Sequence, residues 1–264
     1  MYIYSNFVFP EGRAKALTMS YDDGVEEDRR LVEIFNQHGL KGTFHLNSGR
    51  QGVSTLAEAK VLYQGHEVSC HSKNHPTLER IPGGGILNQM LEDRLALERL
   101  VGYPVRGMSY PNGGYNSEIL PILASAGIVY SRTTISTGKY SLPDNWLVWH
   151  PTCHHNDDLL ARGERFKQLH SLFSVFYVWG HSYEFARQNT WALIENFCQN
   201  MANLPDVWYA SNIEIYDYVM AARRLEFSAD GSLVHNPSAL PVWLKLSASG
   251  ETKDIPSGQT VSLA

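Results

Sequence analysis

Two short clusters in this chain have the residue types and spacing to do chemistry: Tyr21-Asp22-Asp23-Gly24, and further along His71-Ser72-Lys73-Asn74-His75. The apolar run Ala16-Leu17-Thr18-Met19-Ser20 leads into the adjacent carboxylates, and Glu67-Val68-Ser69-Cys70 leads into the imidazoles. One carboxylate with two imidazoles is a ligand set for a catalytic zinc that keeps a position open for water. The second carboxylate is then spare and sits where a base is wanted, so the pattern reads as a metal-assisted hydrolase. Each piece also has a plainer reading. Asp-Asp-Gly makes a turn, because Asp bonds its own backbone and Gly tolerates positive φ. A His-x-x-x-His alone is more often structural than ligating. Both clusters, however, follow strand-like runs, and the carboxyl ends of strands are where barrel enzymes build their sites. The histidine spacing predicts both rings on one side of a single helical turn, ended by Pro76.

Two later segments extend the pattern. Pro111-Asn112-Gly113-Gly114-Tyr115-Asn116 is a turn cluster after a short apolar run, and its glycines permit close backbone approach to a ligand. A backbone N–H from Tyr110–Gly114 would suit an oxyanion. Phe176-Tyr177-Val178-Trp179-Gly180-His181 places an imidazole just past an apolar strand, where a structural histidine is the plainer reading. Tyr21, Tyr110, Tyr115, Trp146, Trp149, Tyr183 and Trp208 fall near predicted strand ends, where they suit either sugar stacking or core packing.

The elements that must position these groups alternate in type. Strands are expected at 15–20, 42–46, 67–70, 107–109, 128–131, 148–150, 174–179 and 207–210. Helices are expected at 28–38, 55–64, 86–101, 117–126, 191–201 and 213–223, with Gly39 as the C-cap of the first. This β-α alternation implies parallel strands with helices outside, and seven or so repeats suggest a closed or nearly closed barrel. After Arg224 the pattern switches to short apolar runs at 225–228, 232–235, 242–246 and 260–263, separated by turns. The expected organisation is an α/β barrel over 1–223 and a small β appendage, without catalytic groups, over 224–264.

Composition narrows the partners. Of 264 residues, 43% are hydrophobic and 19% charged, ordinary for a globular chain, and the formal charge of −5 argues against nucleic-acid or anionic-membrane surfaces. No run of about 18 apolar residues is present to span a membrane. The first ten residues lack a basic stretch followed by an apolar one, so no signal peptide is expected and the chain reads as cytoplasmic. Three scattered cysteines, Cys70, Cys153 and Cys198, fit a reducing compartment. Oligomeric state is not set by any of these features.

Between Leu17 and Asn212 the chain resembles the polysaccharide deacetylases, the NodB-type deacetylases of carbohydrate esterase family 4. The family's Thr-Phe-Asp-Asp-Gly looks like Ser20-Tyr21-Asp22-Asp23-Gly24, and its His-Ser/Thr-x-x-His stands as His71-Ser72-Lys73-Asn74-His75. Its Arg-Pro-Pro-Tyr-Gly is matched loosely by Ser109-Tyr110-Pro111-Asn112-Gly113, and its final strand ending in Leu-His by Trp179-Gly180-His181. The resemblance implies a distorted (β/α)7-type barrel. It implies a divalent metal held by Asp23, His71 and His75: zinc first, with cobalt, nickel or manganese as alternatives. It implies Asp22 as general base, His181 as general acid, and Tyr110, Pro111, Asn112 and Gly113 around substrate or oxyanion. The activity implied is removal of N- or O-acetyl groups from a carbohydrate. A cytosolic amidohydrolase acting on a small ureide or imide, and a non-catalytic carbohydrate-binding member, are the alternatives.

The chain departs from the family in two places. Ser109 stands where the family has arginine, and Arg132 after the next strand could supply that charge from elsewhere. No good match to the family's Asp-x-x-Asp-Trp appears, since Pro143-Asp144-Asn145-Trp146 falls in a loop. In its place is the stretch Trp149-His150-Pro151-Thr152-Cys153-His154-His155-Asn156-Asp157, in which His154 could line the pocket. The chain therefore reads as a divergent branch.

Overall fold

Apolar runs bounded by turns become parallel strands in a computed structural model, which describes residues 5–50, 55–247 and 249–263. After β1 (Ser5–Val8) come β2 (Lys15–Asp22), α1 (Asp28–His38), β3 (Gly42–Leu46), α2 (Ala59–Leu62) and β4 (Glu67–Cys70). Next are α3 (Gly83–Val101), β5 (Gly107–Ser109), α4 (Ile119–Ser125), β6 (Tyr130–Arg132), β7 (Cys153–His154) and α5 (Leu159–Lys167). Then follow β8 (Ser174–Gly180), α6 (Ser182–Arg187), α7 (Trp191–Met201), β9 (Val207–Tyr209) and α8 (Asn212–Arg223).

The parallel strands run in the order β6-β5-β4-β3-β2-β8-β7. The ring is drawn together between β6 and β7 by one parallel bridge, Arg132 to Trp149. Trp149 N donates to Ser131 O at 2.9 Å, and Thr133 N donates to Trp149 O at 3.0 Å. Seven strands in this path, with β9 beside β2 as an eighth, thus form a curled parallel sheet consistent with the expected distorted (β/α)7 barrel. All residues of β2, β3, β4 and β8 are buried, as strands covered on both faces must be. β2 is the axis of the sheet. One of its edges pairs with β8 over Lys15–Tyr21, while the other is shared by β9 at Lys15–Leu17 and β3 at Met19–Asp22.

Several elements differ from expectation. The strand expected at 148–150 is instead a 3-10 turn, Trp146–Val148, capped by the Asn145 side chain accepting from Leu147 N, with the single bridge at Trp149. Pro151 follows and has no N–H for a ladder, so pairing resumes only at β7. The helix expected at 55–64 is a 3-10 turn, Leu56–Glu58, and one α turn, α2. Helix α5 escapes the sequence pattern because Gly163 interrupts it. A Cβ there would lie 3.2 Å from Met201 and Phe197 of α7, so the glycine lets two helices approach.

Beyond α8, β10 (Glu226–Phe227), β11 (Leu233–His235), β12 (Val242–Leu246), β13 (Thr252–Ile255) and β14 (Thr260–Ser262) build two antiparallel sheets, β10-β11-β14 and β1-β12-β13. The strand before the barrel therefore joins a sheet of the segment after it. Val242, Leu244, Leu246 and Ile255 bury against Ile215, Tyr218 and Val219 of α8. Tyr218 fixes the contact, its hydroxyl donating to Val8 O at 2.6 Å and accepting from Trp243 N at 3.0 Å. At the strand-start end of the barrel, buried Glu67 accepts from Tyr130 OH at 2.7 Å, Thr43 Oγ1 at 3.0 Å and Ile213 N at 2.9 Å.

Candidate metal centre and active site

The strand-end residues meet at one mouth of the barrel. Asp22 is the last residue of β2 and is buried; Asp23 and Gly24 then turn the chain with φ of 83° and 64°. Asp23 N is fixed by His45 O at 2.9 Å, and His71 N by Leu46 O at the same distance. His71 Nε2 lies 3.9 Å from Asp23 Oδ1, and His75 Nε2 lies 3.8 Å from it. Asp23, His71 and His75 each offer a ligand atom within 4.8 Å of the others. The expected helical turn is absent: Ser72 and His75 have φ of 59° and 57°, so a left-handed loop aims the second ring.

These residues fit a divalent cation. Ligand atoms bonded to one zinc at roughly 2.0–2.2 Å lie at most about 4.4 Å apart, which the carboxylate–imidazole distances satisfy. The tautomer also fits. His71 Nδ1 lies 2.9 Å from Ser109 O, a pure acceptor, and 2.7 Å from Ser109 Oγ, whose own proton goes to Asp22, so Nδ1 carries the proton and Nε2 presents its lone pair to Asp23. Burial pushes the His71 imidazole down to about 3, which keeps it neutral, the form a metal ligand needs. The Arg50 guanidinium rests 2.5 Å from Asp23 Oδ1, a cation at the oxygen a metal would take. From α3, Asp93 accepts from His71 N at 3.1 Å and Ser48 N at 2.8 Å, bracing the loops on both sides.

Asp22 is held differently. Ser109 Oγ donates to its Oδ1 at 2.9 Å, and Arg132 Nη2 donates to its Oδ2. Arg132 is wholly buried and stacks over Trp179 at 4.4 Å. Burial alone would raise the Asp22 carboxyl, but Arg132 and then His71 outweigh it and hold the group well below the usual carboxylate range. Asp22 is therefore an ionised acceptor 3.8 Å from His71 Nε2.

The opposite wall carries His181, the N-cap of α6. Its Nδ1 lies 2.9 Å from Glu184 Oε1 one turn on. Burial alone would lower its pKa, but the Glu184 hydrogen bond and the charges of Asp22 and Asp23 outweigh this and raise it. His154 Nε2 lies 3.2 Å from Glu184 Oε2, so His154 joins the acid and not the oxyanion turn. In that turn Gly113 N and Gly114 N are bonded back to Tyr110 O and Pro111 O, and Tyr110 N to Arg132 O. Tyr110 OH donates to Leu147 O, and Asn112 Nδ2 to Thr77 Oγ1 beyond the His75 loop. Pro111 is buried, and Gly113, with φ of 72°, has no Cβ where Thr134 Oγ1 would lie 2.2 Å away. These side chains hold the turn's shape. Of the aromatics, Tyr21, Tyr110, Trp146 and Trp149 are core residues.

Ser109, Asp93 and Arg50 take part without being expected from the motifs. Ser109 reads in the sequence only as a missing arginine. Asp93 carries a usable signal, a carboxylate on the buried stripe Ile86, Met90, Asp93, Leu97 of α3. Arg50 carries none, and His155 lies within the stretch 149–157 that the sequence marks.

Comparison with known proteins bears on the fold and on the family likeness. The sequence profile of the polysaccharide deacetylase family matches residues 10–131. A chitin deacetylase from Pestalotiopsis sp is 26% identical over 131 residues, 48% of this chain and 44% of that protein. The chain spans less than half the length of the curated relatives it matches. A Mycobacterium smegmatis structure assigned as a polysaccharide deacetylase superposes with a TM-score of 0.62 at 16% identity, covering 84% of this chain and 96% of that one. A carbohydrate esterase family 4 pseudoenzyme from Bacillus anthracis superposes with a TM-score of 0.52 at 19% identity, over 81% of this chain and 68% of that one. The likeness between these structures is one of fold. The resemblance drawn from the motifs is matched by these comparisons: residues 10–131 fit the polysaccharide deacetylase profile, and the fold is shared with structures of that family.

Proposed function

We propose that this divergent polysaccharide deacetylase domain is a metal-dependent hydrolase that removes N-acetyl groups from a saccharide chain. The observation that carries the reading is the placing of Asp22. It is an ionised, buried carboxylate between Arg132 and Ser109, beside an imidazole whose free nitrogen faces Asp23. Asp23, His71 and His75 would hold a divalent ion, zinc by its donor set, which acidifies water and polarises an acyl oxygen when bound. Asp22 takes the proton of the attacking water. Arg132 keeps that carboxylate ionised and in place until it does so. His181, whose Nδ1–H is held by Glu184, delivers a proton from Nε2 to the departing nitrogen, without which an amine leaves poorly.

The test is acetate release by the zinc-loaded chain from N-acetylglucosamine oligomers, with O-acetylated oligosaccharides and a cyclic imide or ureide run beside it. The expected result is release from the N-acetyl substrate, lost in His71→Ala with its metal and lost in His181→Ala with metal retained. Turnover of the imide alone would move the activity to a small amide. Sugar binding without release from any substrate would make this a non-catalytic member.

A further inference from the structure

Around Glu184 gather three imidazoles, which resemble a second metal site. His154, His181 and Glu184 offer ligand atoms within 4.8 Å of one another. His155 Nε2 lies 2.9 Å from Glu184 Oε2, off the line for a hydrogen bond. His155 is wholly buried, its ring lying between Phe185 at 4.2 Å and Tyr21 at 5.8 Å. Space for it exists because residue 180 is glycine; a Cβ there would meet His155 Nδ1 at 2.0 Å.

Hydrogen bonding decides what the cluster does. Asn156 N donates to His154 Nδ1 at 3.2 Å. A neutral imidazole whose Nδ1 accepts carries its proton on Nε2, and His154 Nε2 faces Glu184 Oε2 at 3.2 Å, its N–H dipole acting on the carboxylate without an aligned hydrogen bond. This is the reverse of His71, whose Nδ1 donates and whose Nε2 is bare. A metal ligand needs the lone pair that His154 has turned away. Glu184 Oε2 also receives Asn156 Nδ2 at 3.3 Å, so a ring of donors surrounds the carboxylate.

We infer that His154, with His155 beside it, forms a donor cradle that acts through Glu184 to set the strength of His181 as an acid, and that this cradle takes no second metal ion. His154 is thus a positioning residue; the inference about acid strength rests on the role of His181 proposed above. With the His154 Nε2–H pole 3.2 Å away and Asn156 Nδ2 donating, part of the Glu184 charge is already met and its pull on the His181 proton is moderated. Without that donor the pull grows and His181 becomes a weaker acid. The other charged or titratable groups facing this cluster are Asp22 and Asp23 at the end of β2, and Tyr183 beside Arg187 on α6. Tyr21 and Asp28 lie behind it, Asp28 accepting from Ser182 Oγ at 2.5 Å. None of these changes when His154 is replaced.

The experiment uses the full chain loaded with zinc. Long-range nitrogen–proton NMR of the histidines reads each tautomer, and metal analysis counts the ions. The expected results are His154 in the Nε2–H form and one zinc per chain. His154→Phe, which keeps a ring against Trp179, should retain that zinc and titrate His181 higher by roughly one pH unit. The alkaline limb of kcat should move with it. His154→Gln, which presents an N–H at similar reach, should return His181 toward its original titration. A second zinc lost in His154→Phe, an Nδ1–H form of His154, or an unmoved His181 would each overturn the inference. Tautomer, ion count and titration are read without turnover. Inactivity on acetylated sugars would thus sink the proposed function separately.

Discussion

In the half of the barrel from β2 to β5, the reactive groups come in short clusters on strained loops. In the half from β6 to β8 they come singly, as Arg132, His154, His181 and Glu184, on ordinary strand and helix ends. Asp23, Ser72 and His75 all have positive φ without being glycine, and such backbone costs on the order of 1–3 kcal/mol each. The half with the candidate metal ligands would tolerate that cost if its ligand atoms are to converge on one point with the right tautomer. The acid half has a looser requirement. A Coulomb interaction declines only as the inverse of distance, so a guanidinium reaching Asp22 from β6 can serve where the family brings one from β5. The family profile matches 10–131 and stops one residue short of Arg132. A coordination site would hold its ligands to a fixed spacing, whereas a charge can reach its partner from more than one strand end.

The comparison breaks most sharply at Asp22, where the halves meet. Asp22→Asn should retain zinc by metal analysis and lose roughly 10²–10⁴-fold in rate. Loss of the metal instead would place Asp22 among the ligands. Arg132→Met should leave a buried carboxylate unpaired and destabilise the fold by about 3–5 kcal/mol, read by urea unfolding. A small change there would mean that Ser109 suffices. Asp93→Asn keeps one acceptor for two backbone N–H groups, and zinc affinity should fall about 10–100-fold with His181 titrating as before. A shifted His181 would show that the halves are coupled.

The smallest effect lies at the far end of the strands. Burial pushes the Glu67 carboxyl up to about 7. Because this folded-state pKa is raised, its contribution to stability is full below the ordinary Glu range and declines as pH rises from there through about 7. Glu67→Gln should flatten that loss, on the order of 2 kcal/mol between pH 5 and 8 by thermal unfolding, and leave both halves of the site unaltered. A wild type with no loss of stability over that range would contradict the assignment.

Much of the metal half was legible because its information is local. An apolar run locates a strand end, and the residues that follow are the candidate ligands that the structure brings within 4.8 Å of one another. The spacing of His71 and His75 was legible and their backbone was not: a helical turn and a left-handed loop can both bring the rings together, and local pattern does not choose between them. Ser109 shows the limit of motif reading. It registers as a loss, yet its hydroxyl binds Asp22 and its carbonyl sets the His71 tautomer, a backbone role that any residue type conceals. Arg132 was legible as a charge in search of a partner. The contact of Glu184 with His154 was not legible, because it spans strand and helix. The appendage's β-strands were visible as turn-separated runs, but their pairing with β1 joins opposite ends of the sequence and leaves no local trace.

The two shared edges of β2 carry a consequence for motion. Every residue of that strand is buried, and its flanks are covered by β8 on one side and by β9 and β3 on the other. Its amides should be among the last in the molecule to exchange with deuterated water, opening only when the whole domain does. Asp22 is mounted on the tip of that strand. His75, partly exposed on a strained loop, should exchange early. Ion release would then begin as a local opening at His75, with the base still standing where the next ion finds it.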